Sequence, residues 1–139
     1  MEYMKDYDLC YNIEYVPFNS EEHFGAAGEL AYRQDCKQKN IDFKLVINID
    51  SPGHIGSKAA ISSYNLGKNI GAILNGLLNE HSQIVAGADW YSGDHAVYAM
   101  NGVPCIAVTS SDLFDVALEA VHTPKDTVDN VENECVVSE

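Results

Sequence analysis

The stretch Phe43-Lys44-Leu45-Val46-Ile47-Asn48-Ile49-Asp50-Ser51-Pro52-Gly53 is the most informative part of the chain for its fold. Residues 43–49 form an apolar run interrupted only by Lys44 and Asn48, which is typical of a strand with neighbours on both sides. The run ends on Asp50, and Ser-Pro-Gly then turns the chain. Because open α/β sheets build their sites at the carboxyl ends of strands, Asp50 is a candidate functional residue.

Apolar runs and helical patterns alternate along the rest of the chain. This pattern predicts a three-layer αβα fold of the α/β class, in which helices cover both faces of a mostly parallel, mixed sheet. Further strands are predicted at residues 13–18, 84–88 and 103–109. Helices are predicted at residues 24–36 and 65–81, and residues 90–95 are predicted to lead into a short helix that Asn101-Gly102 would end. The second of these helices is expected to bury Leu66, Ile70, Ile73, Leu74, Leu77 and Leu78. After the strand at 103–109 we expect a loop to Val121, and then a helix that begins at Asp126 or Thr127.

Length and composition describe an ordinary folded protein. The 139 residues suit one compact core, so we expect residues 1–139 to form a single domain. Hydrophobic residues make up 46% of the chain and charged residues 21%, which is far from a disordered composition. No apolar stretch reaches the ~18 residues that a membrane-spanning helix needs.

The chain is strongly acidic. Eight Lys and Arg against 21 Asp and Glu give a net charge of -13, which opposes nucleic-acid phosphates and anionic membranes. Neither kind of partner is expected. The acid is concentrated at residues 1–22 and 112–139, where it is either a solvated surface or charge that a bound divalent metal neutralises. The first residues lack the basic region and apolar core of a signal peptide, which favours the cytoplasm if Met1 is the natural start.

Two adjacent carboxylates follow the first predicted strand, in Asn19-Ser20-Glu21-Glu22-His23-Phe24-Gly25. Asp50 and His122 stand at the ends of later segments. Carboxylates and a neutral imidazole are ligands that suit zinc, and hydrolysis needs a further carboxylate as general base. The four cysteines show no CxxC spacing, so they are not expected to bind metal.

Four motifs occur in one order along nearly the whole chain: residues 19–28, Val46-Ile47-Asn48-Ile49-Asp50, residues 92–104 and His122-Thr123-Pro124-Lys125-Asp126-Thr127. In that order they resemble the co-catalytic di-zinc aminopeptidases. Glutamate carboxypeptidase-like enzymes, glutaminyl cyclases and the transferrin-receptor ectodomain are members of the same wider family. The resemblance implies a zinc-exopeptidase fold, of which this chain would be the C-terminal part of the catalytic domain.

The resemblance also implies roles for individual residues. Glu21 matches the general base, which takes a proton from the zinc-activated water and passes it to the leaving amine. Glu22 matches a zinc ligand, and His122 would share its metal. Asp50 matches a ligand of the other zinc. A complete site in the family holds two zinc ions, which this chain would hold incompletely.

Three further residues match the surroundings of the family's site. Asp94 and His95 match its Ser-Asp-His element, with Gly93 inserted here, and would contact substrate or support the ligands. The alternative is that Asp94 caps a helix and His95 is partly exposed. Asp126 would either orient His122 or cap the following helix.

The sequence departs from the family at two points. A His-x-Asp motif precedes the glutamate pair in the family and completes both metals, but this sequence has no histidine before His23. Asp50 would then be alone on one zinc, with Glu22 and His122 on the other, whereas a catalytic zinc usually has three protein ligands. We therefore expect a chain that starts partway through the domain. The second departure is Val121, where the family often has a carbonyl-polarising Tyr; Tyr91 and Tyr98 are candidate substitutes.

These observations lead to a function with two alternatives. The parent protein is expected to be a zinc-dependent aminopeptidase that binds the N-terminus of a peptide, and this chain alone is expected to be inactive. A glutaminyl cyclase-like acyltransferase or a non-catalytic binding module of the same fold are the alternatives. If the first strand lacks a neighbour, its exposed edge would favour self-association into a homo-oligomer.

Overall fold

The computed structural model describes residues 10–19 and 26–132. The chain divides into two compact units, Met1–Lys39 and Asn40–Glu139. That residues 1–139 form a single domain stays a prediction. No helix within the described ranges is long and apolar enough to cross a membrane.

The described part of the first unit contains helix α1 (Ala27–Gln38) and the irregular segment 10–19. Tyr32 of the helix donates a hydrogen bond to the Glu14 carboxylate at 2.9 Å, and its ring packs edge-on against Phe18. The strand predicted at residues 13–18 is therefore wrong. The described part of the chain offers this segment no ladder partner, and its contacts are side-chain contacts with α1 instead.

The described part of the second unit contains a four-stranded sheet. Its strands are β1 (Val46–Ile49), β2 (Ala59–Tyr64), β3 (Ile84–Ala86) and β4 (Cys105–Ser110), in the order β1-β4-β2-β3. β1 pairs parallel with β4, and β2 pairs parallel with β3, but β2 and β4 are antiparallel. The prediction of an α/β fold with a mostly parallel, mixed sheet is confirmed.

Strand β2 is the strand of the described sheet that the sequence pattern did not predict. Its residues Ala59-Ala60-Ile61-Ser62-Ser63-Tyr64 alternate in burial, and the buried set is Ala60, Ser62 and Tyr64. Ala60 is small and Ser62 is polar, so the buried face of β2 is hardly more hydrophobic than its opposite face. The alternation is visible only when burial is known.

The helices of the second unit are α2 (Lys68–Glu80), α3 (Ala96–Met100) and α4 (Leu113–Glu119), and α4 occupies residues that were expected to be loop. On α2, Leu74 is buried as predicted, but Ile73 and Leu77 are 64% and 42% exposed. Their predicted burial is wrong. Helix α2 packs beside β3, a strand of only three residues, so a narrow apolar stripe is enough to cover the contact.

The core of the second unit lies between the sheet and the segment that leads into α3. It is formed by Tyr64, Trp90, Tyr98, Ala99, Cys105 and Ala107. Helix α3 ends at Met100 and Gly102 has φ +79°, so the stop predicted at Asn101-Gly102 is correct. A longer helix is predicted from residue 126 or 127. Up to residue 132, where the described part of the chain ends, the structure has only one 3₁₀ turn there, at Val128–Asn130. Val131 then pairs with His54 as an isolated antiparallel bridge, which an α-helix would not allow.

Candidate metal centre

Asp50 stands directly after β1, and strand β4 fixes its backbone. Its N–H donates to the Val108 carbonyl at 3.0 Å. The next residue, Ser51, has φ +50°, and its carbonyl accepts hydrogen bonds from the Ser110 hydroxyl at 2.7 Å and the Ser110 N–H at 3.2 Å. A serine in the left-handed region needs such support from its surroundings. The half-buried Asp50 carboxylate is thereby held at the carboxyl edge of the sheet, where the sequence predicts it.

Asp94 lies close enough to Asp50 for their charges to interact. Burial raises the pKa of the Asp94 carboxyl above its ordinary value, the negative charge of Asp50 raises this pKa further, and His95 opposes both effects. The Oδ1 atom of Asp94 is buried and has no hydrogen-bond partner in the part of the chain that the structure describes. A carboxylate that has an unpaired buried oxygen and feels the charge of a second carboxylate is a local excess of negative charge that a divalent cation would neutralise.

Gly93 explains how the chain reaches Asp94. A Cβ atom at Gly93 would lie 2.7 Å from Cζ3 of Trp90 and 2.8 Å from Nδ2 of Asn48. No other residue type fits between these two side chains without displacing one of them. The glycine that the sequence inserts between Ser92 and Asp94 is therefore required by the packing, and the aspartate follows immediately.

His95 is fully buried behind Asp94. Its Nε2 lies 2.9 Å from the Trp90 carbonyl, which can only accept, so this nitrogen carries the proton. Its Nδ1 lies 3.2 Å from the amide nitrogen of Asn48 and accepts from it. Both ring nitrogens are therefore engaged. His95 supports Asn48 and the turn that carries Asp94, and its role as a supporting residue of the site stays a prediction.

His122 lies in an exposed turn after α4, with φ +60°. Its N–H donates to Oδ2 of Asp126 at 3.4 Å, which closes the turn. The cap expected from Asp126 is not formed, because Thr127 is the N-cap of the 3₁₀ helix and no side chain bonds there. Orientation of the imidazole by Asp126 stays a prediction.

The structure brings only part of the predicted site together. The charge of Asp50 acts on Asp94, whereas Glu21 and Glu22 lie outside the described residues. Within residues 10–19 and 26–132, no three histidine, cysteine or acidic side chains lie together as metal ligands would. The described residues therefore do not form a complete metal site, and the ligand roles of Asp50 and His122 stay predictions.

Residues 2–137 match the model of peptidase family M28. The chain belongs to this family. Two crystal structures of LapA from Legionella pneumophila, one titled as an aminopeptidase, are similar to the M28 chain. One has a TM-score of 0.65 and 18% identity over 84% of this chain and 34% of the LapA chain. The other has a TM-score of 0.64 and 18% identity over 84% and 33%. At this identity the likeness concerns the fold, and the chain spans about a third of the LapA chains. No curated protein sequence matches the chain.

The two tyrosines considered in place of Val121 differ in the M28 fold. Tyr98 is 4% exposed and packs edge-on against Phe43, so it belongs to the core. Tyr91 is half exposed and its ring lies 5.1 Å from that of Tyr64, in the turn before Asp94. Of the two, only Tyr91 lies where a substrate could reach it.

Asn48 is the site-building residue that sequence reasoning missed. In the sequence, Asn48 stands out only as a polar residue that interrupts an apolar run. It stands two positions before Asp50, and alternate residues of a strand share a face, so it belongs to the same side of the sheet as the candidate ligand. A polar residue in that register was the available signal.

The raised pKa of Asp94 gives a prediction for this M28 chain without metal. Between the ordinary value of 3.8 and the raised folded value, the folded state binds more protons than the unfolded state, so stability falls as pH rises through this window. We expect Asp94→Asn to remove that fall and to unfold at higher urea concentration than wild type at pH 7. Urea unfolding between pH 4 and pH 8 checks this, with exposed Asp115→Asn as the control. Parallel pH curves for wild type and Asp94→Asn would contradict it.

Proposed function

We propose that this chain forms part of the catalytic domain of a zinc-dependent aminopeptidase. The observation that carries the proposal is the match of residues 2–137 to peptidase family M28, in a chain whose Asp50 lies at the carboxyl edge of the sheet. The unpaired buried carboxylate oxygen of Asp94 supports it, because such an oxygen is costly unless a cation or an ammonium group meets it. The proposed reaction involves both a metal cation and the ammonium group of a peptide.

The donor set fits zinc. Asp50 would hold one ion, and Glu22 with His122 would hold the other; carboxylate oxygen and neutral imidazole nitrogen are both ordinary zinc ligands. Zinc supplies Lewis-acid chemistry, lowering the pKa of water and polarising a carbonyl. Asp50 follows β1 and His122 lies in the turn after α4. Hydrogen bonds hold the backbone at both positions, from Asp50 to Val108 and from His122 to Asp126.

The protein's own groups would move the proton and hold the substrate. Glu21 takes a proton from the attacking water and returns it to the leaving amine, so the carboxylate is regenerated in each cycle. The unpaired Oδ1 of Asp94 would accept a hydrogen bond from the α-ammonium group of the peptide. This contact would select a free N-terminus over a blocked one, which is the defining preference of an aminopeptidase.

The chain alone is proposed to be inactive. It supplies Asp50 for one zinc and Glu22 with His122 for the other, while three protein ligands are usual for a catalytic zinc. We therefore expect the chain to bind zinc measurably but less tightly than a complete site would, and not to hydrolyse an aminoacyl chromogenic substrate. Clear turnover that Glu21→Ala abolishes would overturn the inactivity of the chain.

Peptide binding to the zinc-treated chain tests the aminopeptidase assignment without requiring turnover. A peptide with a free N-terminus is expected to bind about tenfold more tightly than its N-acetylated twin, because the acetyl group removes the ammonium charge. Calorimetric titration of both peptides into wild type and Asp94→Asn is the measurement. Equal binding of the two peptides would contradict the assignment.

Cyclisation of a peptide with N-terminal glutamine, without residue release, would favour an acyltransferase instead.

A further inference from the structure

The segment between β1 and β2 is bonded to the last described residues of the chain. His54 and Val131 form an isolated antiparallel bridge. On either side of it, the Ile55 N–H donates to the Asn130 carbonyl at 3.0 Å and the Glu132 N–H donates to the Gly53 carbonyl at 2.8 Å. A short β-pairing therefore ties residues 53–55 to residues 130–132.

His54 anchors this pairing to the end of β4. Its Nδ1 lies 2.7 Å from Oδ2 of Asp112, and the side chains of the pair are 31% and 32% exposed. Its N–H donates to the Ser110 hydroxyl at 3.1 Å. The other Asp112 oxygen is buried without a partner in the described chain, so the carboxylate relies on His54. His54 is thus bonded through its backbone N–H to Ser110, the last residue of β4, and through its ring to Asp112, two residues further on.

The arrangement of Ser110, His54 and Asp112 does not form a nucleophile triad. The Ser110 hydroxyl donates to the Ser51 carbonyl at 2.7 Å and accepts from the His54 N–H rather than facing the imidazole. A serine nucleophile would need its proton directed to a ring nitrogen. The three residues therefore hold the chain in position and carry out no acyl transfer.

From the pairing, hydrogen bonds continue to the turn that carries His122. The Asn130 side chain donates to the Lys125 carbonyl at 2.6 Å, and Asp126 donates its N–H to the Thr123 carbonyl at 3.0 Å. Asp126 then accepts from the His122 N–H. In the opposite direction, Ser110 connects the anchor to Ser51, the neighbour of Asp50. His54 is therefore central to a continuous set of bonds between Asp50 and His122.

We propose that the His54–Asp112 pair is a positioning pair that holds the His122 turn at the sheet edge where Asp50 lies. The consequence for metal binding rests on the proposed function, but the consequence for the position of the turn does not. Neither residue belongs to the ligand set, and both act through the backbone of residues 53–55 and 130–132. Losing the ring contact would loosen the pairing and let the His122 turn move away from the edge.

Hydrogen exchange and zinc titration on the full chain test this proposal together. His54→Ala is expected to speed exchange of the Ile55 and Glu132 amides and of residues 120–127 by about tenfold or more, which corresponds to a loss of local stability. It should also weaken zinc binding by about 10–100-fold, as loss of a supporting partner typically does. His54→Asn keeps a side-chain N–H near the Nδ1 position and should restore most of both. Exposed His81→Ala is the matched control and should change neither.

The two readouts separate the failure of this proposal from failure of the proposed function. Protection of the Asp50 amide, which bonds to β4, reports whether the sheet stays folded in each variant. Unchanged exchange over residues 120–132 in His54→Ala would overturn the positioning role. Faster exchange with unchanged zinc affinity would overturn its link to the metal. If wild type itself binds no zinc, the proposed function fails, and the exchange comparison alone decides whether the pair positions the turn.

Discussion

Replacing His95 by alanine is expected to lower the free energy of unfolding by about 3–5 kcal/mol, the cost of removing a large buried ring. The imidazole has no exposed surface and packs against Trp90, with ring centres 4.5 Å apart. Its removal also takes one hydrogen bond from the Trp90 carbonyl, which keeps the bond from the Tyr64 hydroxyl at 2.7 Å. The Asn48 amide loses its bond to the ring, and a buried polar group left unpaired costs about 1–3 kcal/mol. A loss of this size is a large part of the about 5–15 kcal/mol that stabilises an ordinary domain.

Urea unfolding monitored by Trp90 fluorescence measures this loss, since Trp90 is the tryptophan of the chain and touches the replaced ring. The matched control is exposed His81→Ala, which should change stability by no more than about 0.5 kcal/mol. If His95→Ala does not fold, Asn48→Ala provides a milder test, because it removes one bond to the ring and should cost about 1 kcal/mol. Near-wild-type stability of both variants would contradict a structural role for His95.

Replacing Asp50 by asparagine is expected to weaken zinc binding by at least about 100-fold, the upper end of what loss of an outer partner costs a metal site. Asparagine has nearly the same shape and keeps the N–H that bonds to Val108, so the backbone should stay in place. What disappears is the negative charge, which is the ligand property that zinc requires. The same substitution removes the charge that raises the pKa of Asp94, so the pH dependence of stability should also become shallower.

Competition against a chromogenic chelator measures zinc affinity, and Asp115→Asn is the matched control because it removes one exposed acid of the same kind. An effect of Asp50→Asn no larger than that of Asp115→Asn would mean that the acidic charge of the chain attracts zinc in general. A specific loss with Asp50→Asn, together with a loss in His122→Ala, would support a site at the sheet edge.

The strand that leads to Asp50 was predictable because its signal is local. An apolar run that only Lys44 and Asn48 interrupt, followed by Asp-Ser-Pro-Gly, indicates both a strand and its end, and the structure places β1 and Asp50 accordingly. The same reasoning failed for residues 13–18, where an apolar run was equally visible. A run of this kind becomes a strand only when another strand pairs with it, and a distant partner leaves no trace in the local pattern.

The immediate surroundings of the site were harder to predict, because they depend on contacts between distant parts of the chain. The motif identified Asp94 and His95, but not that Asn48 bonds to the ring of His95. Nothing near His54 in the sequence indicates Asp112 as its partner, since the two meet only after β4 has joined the sheet. These contacts form only when distant segments of the chain pack together, whereas a sequence motif identifies only which residue types are present.

Strand β4 comes after β1 and β2 in the sequence but lies between them in the sheet. In the described sheet, β1 and β2 do not pair with each other, and each forms its ladder with Cys105–Ser110. Strand β1 therefore cannot join the described sheet until β4 has been synthesised, and contacts of such high sequence separation are slow to form. Asp50 acquires its bond to Val108 only when this late strand pairs with β1. In a nascent chain that stops short of Cys105, neither the partner strand of β1 nor the bond that fixes Asp50 is present, so the order of synthesis delays the formation of this sheet edge until β4 is complete.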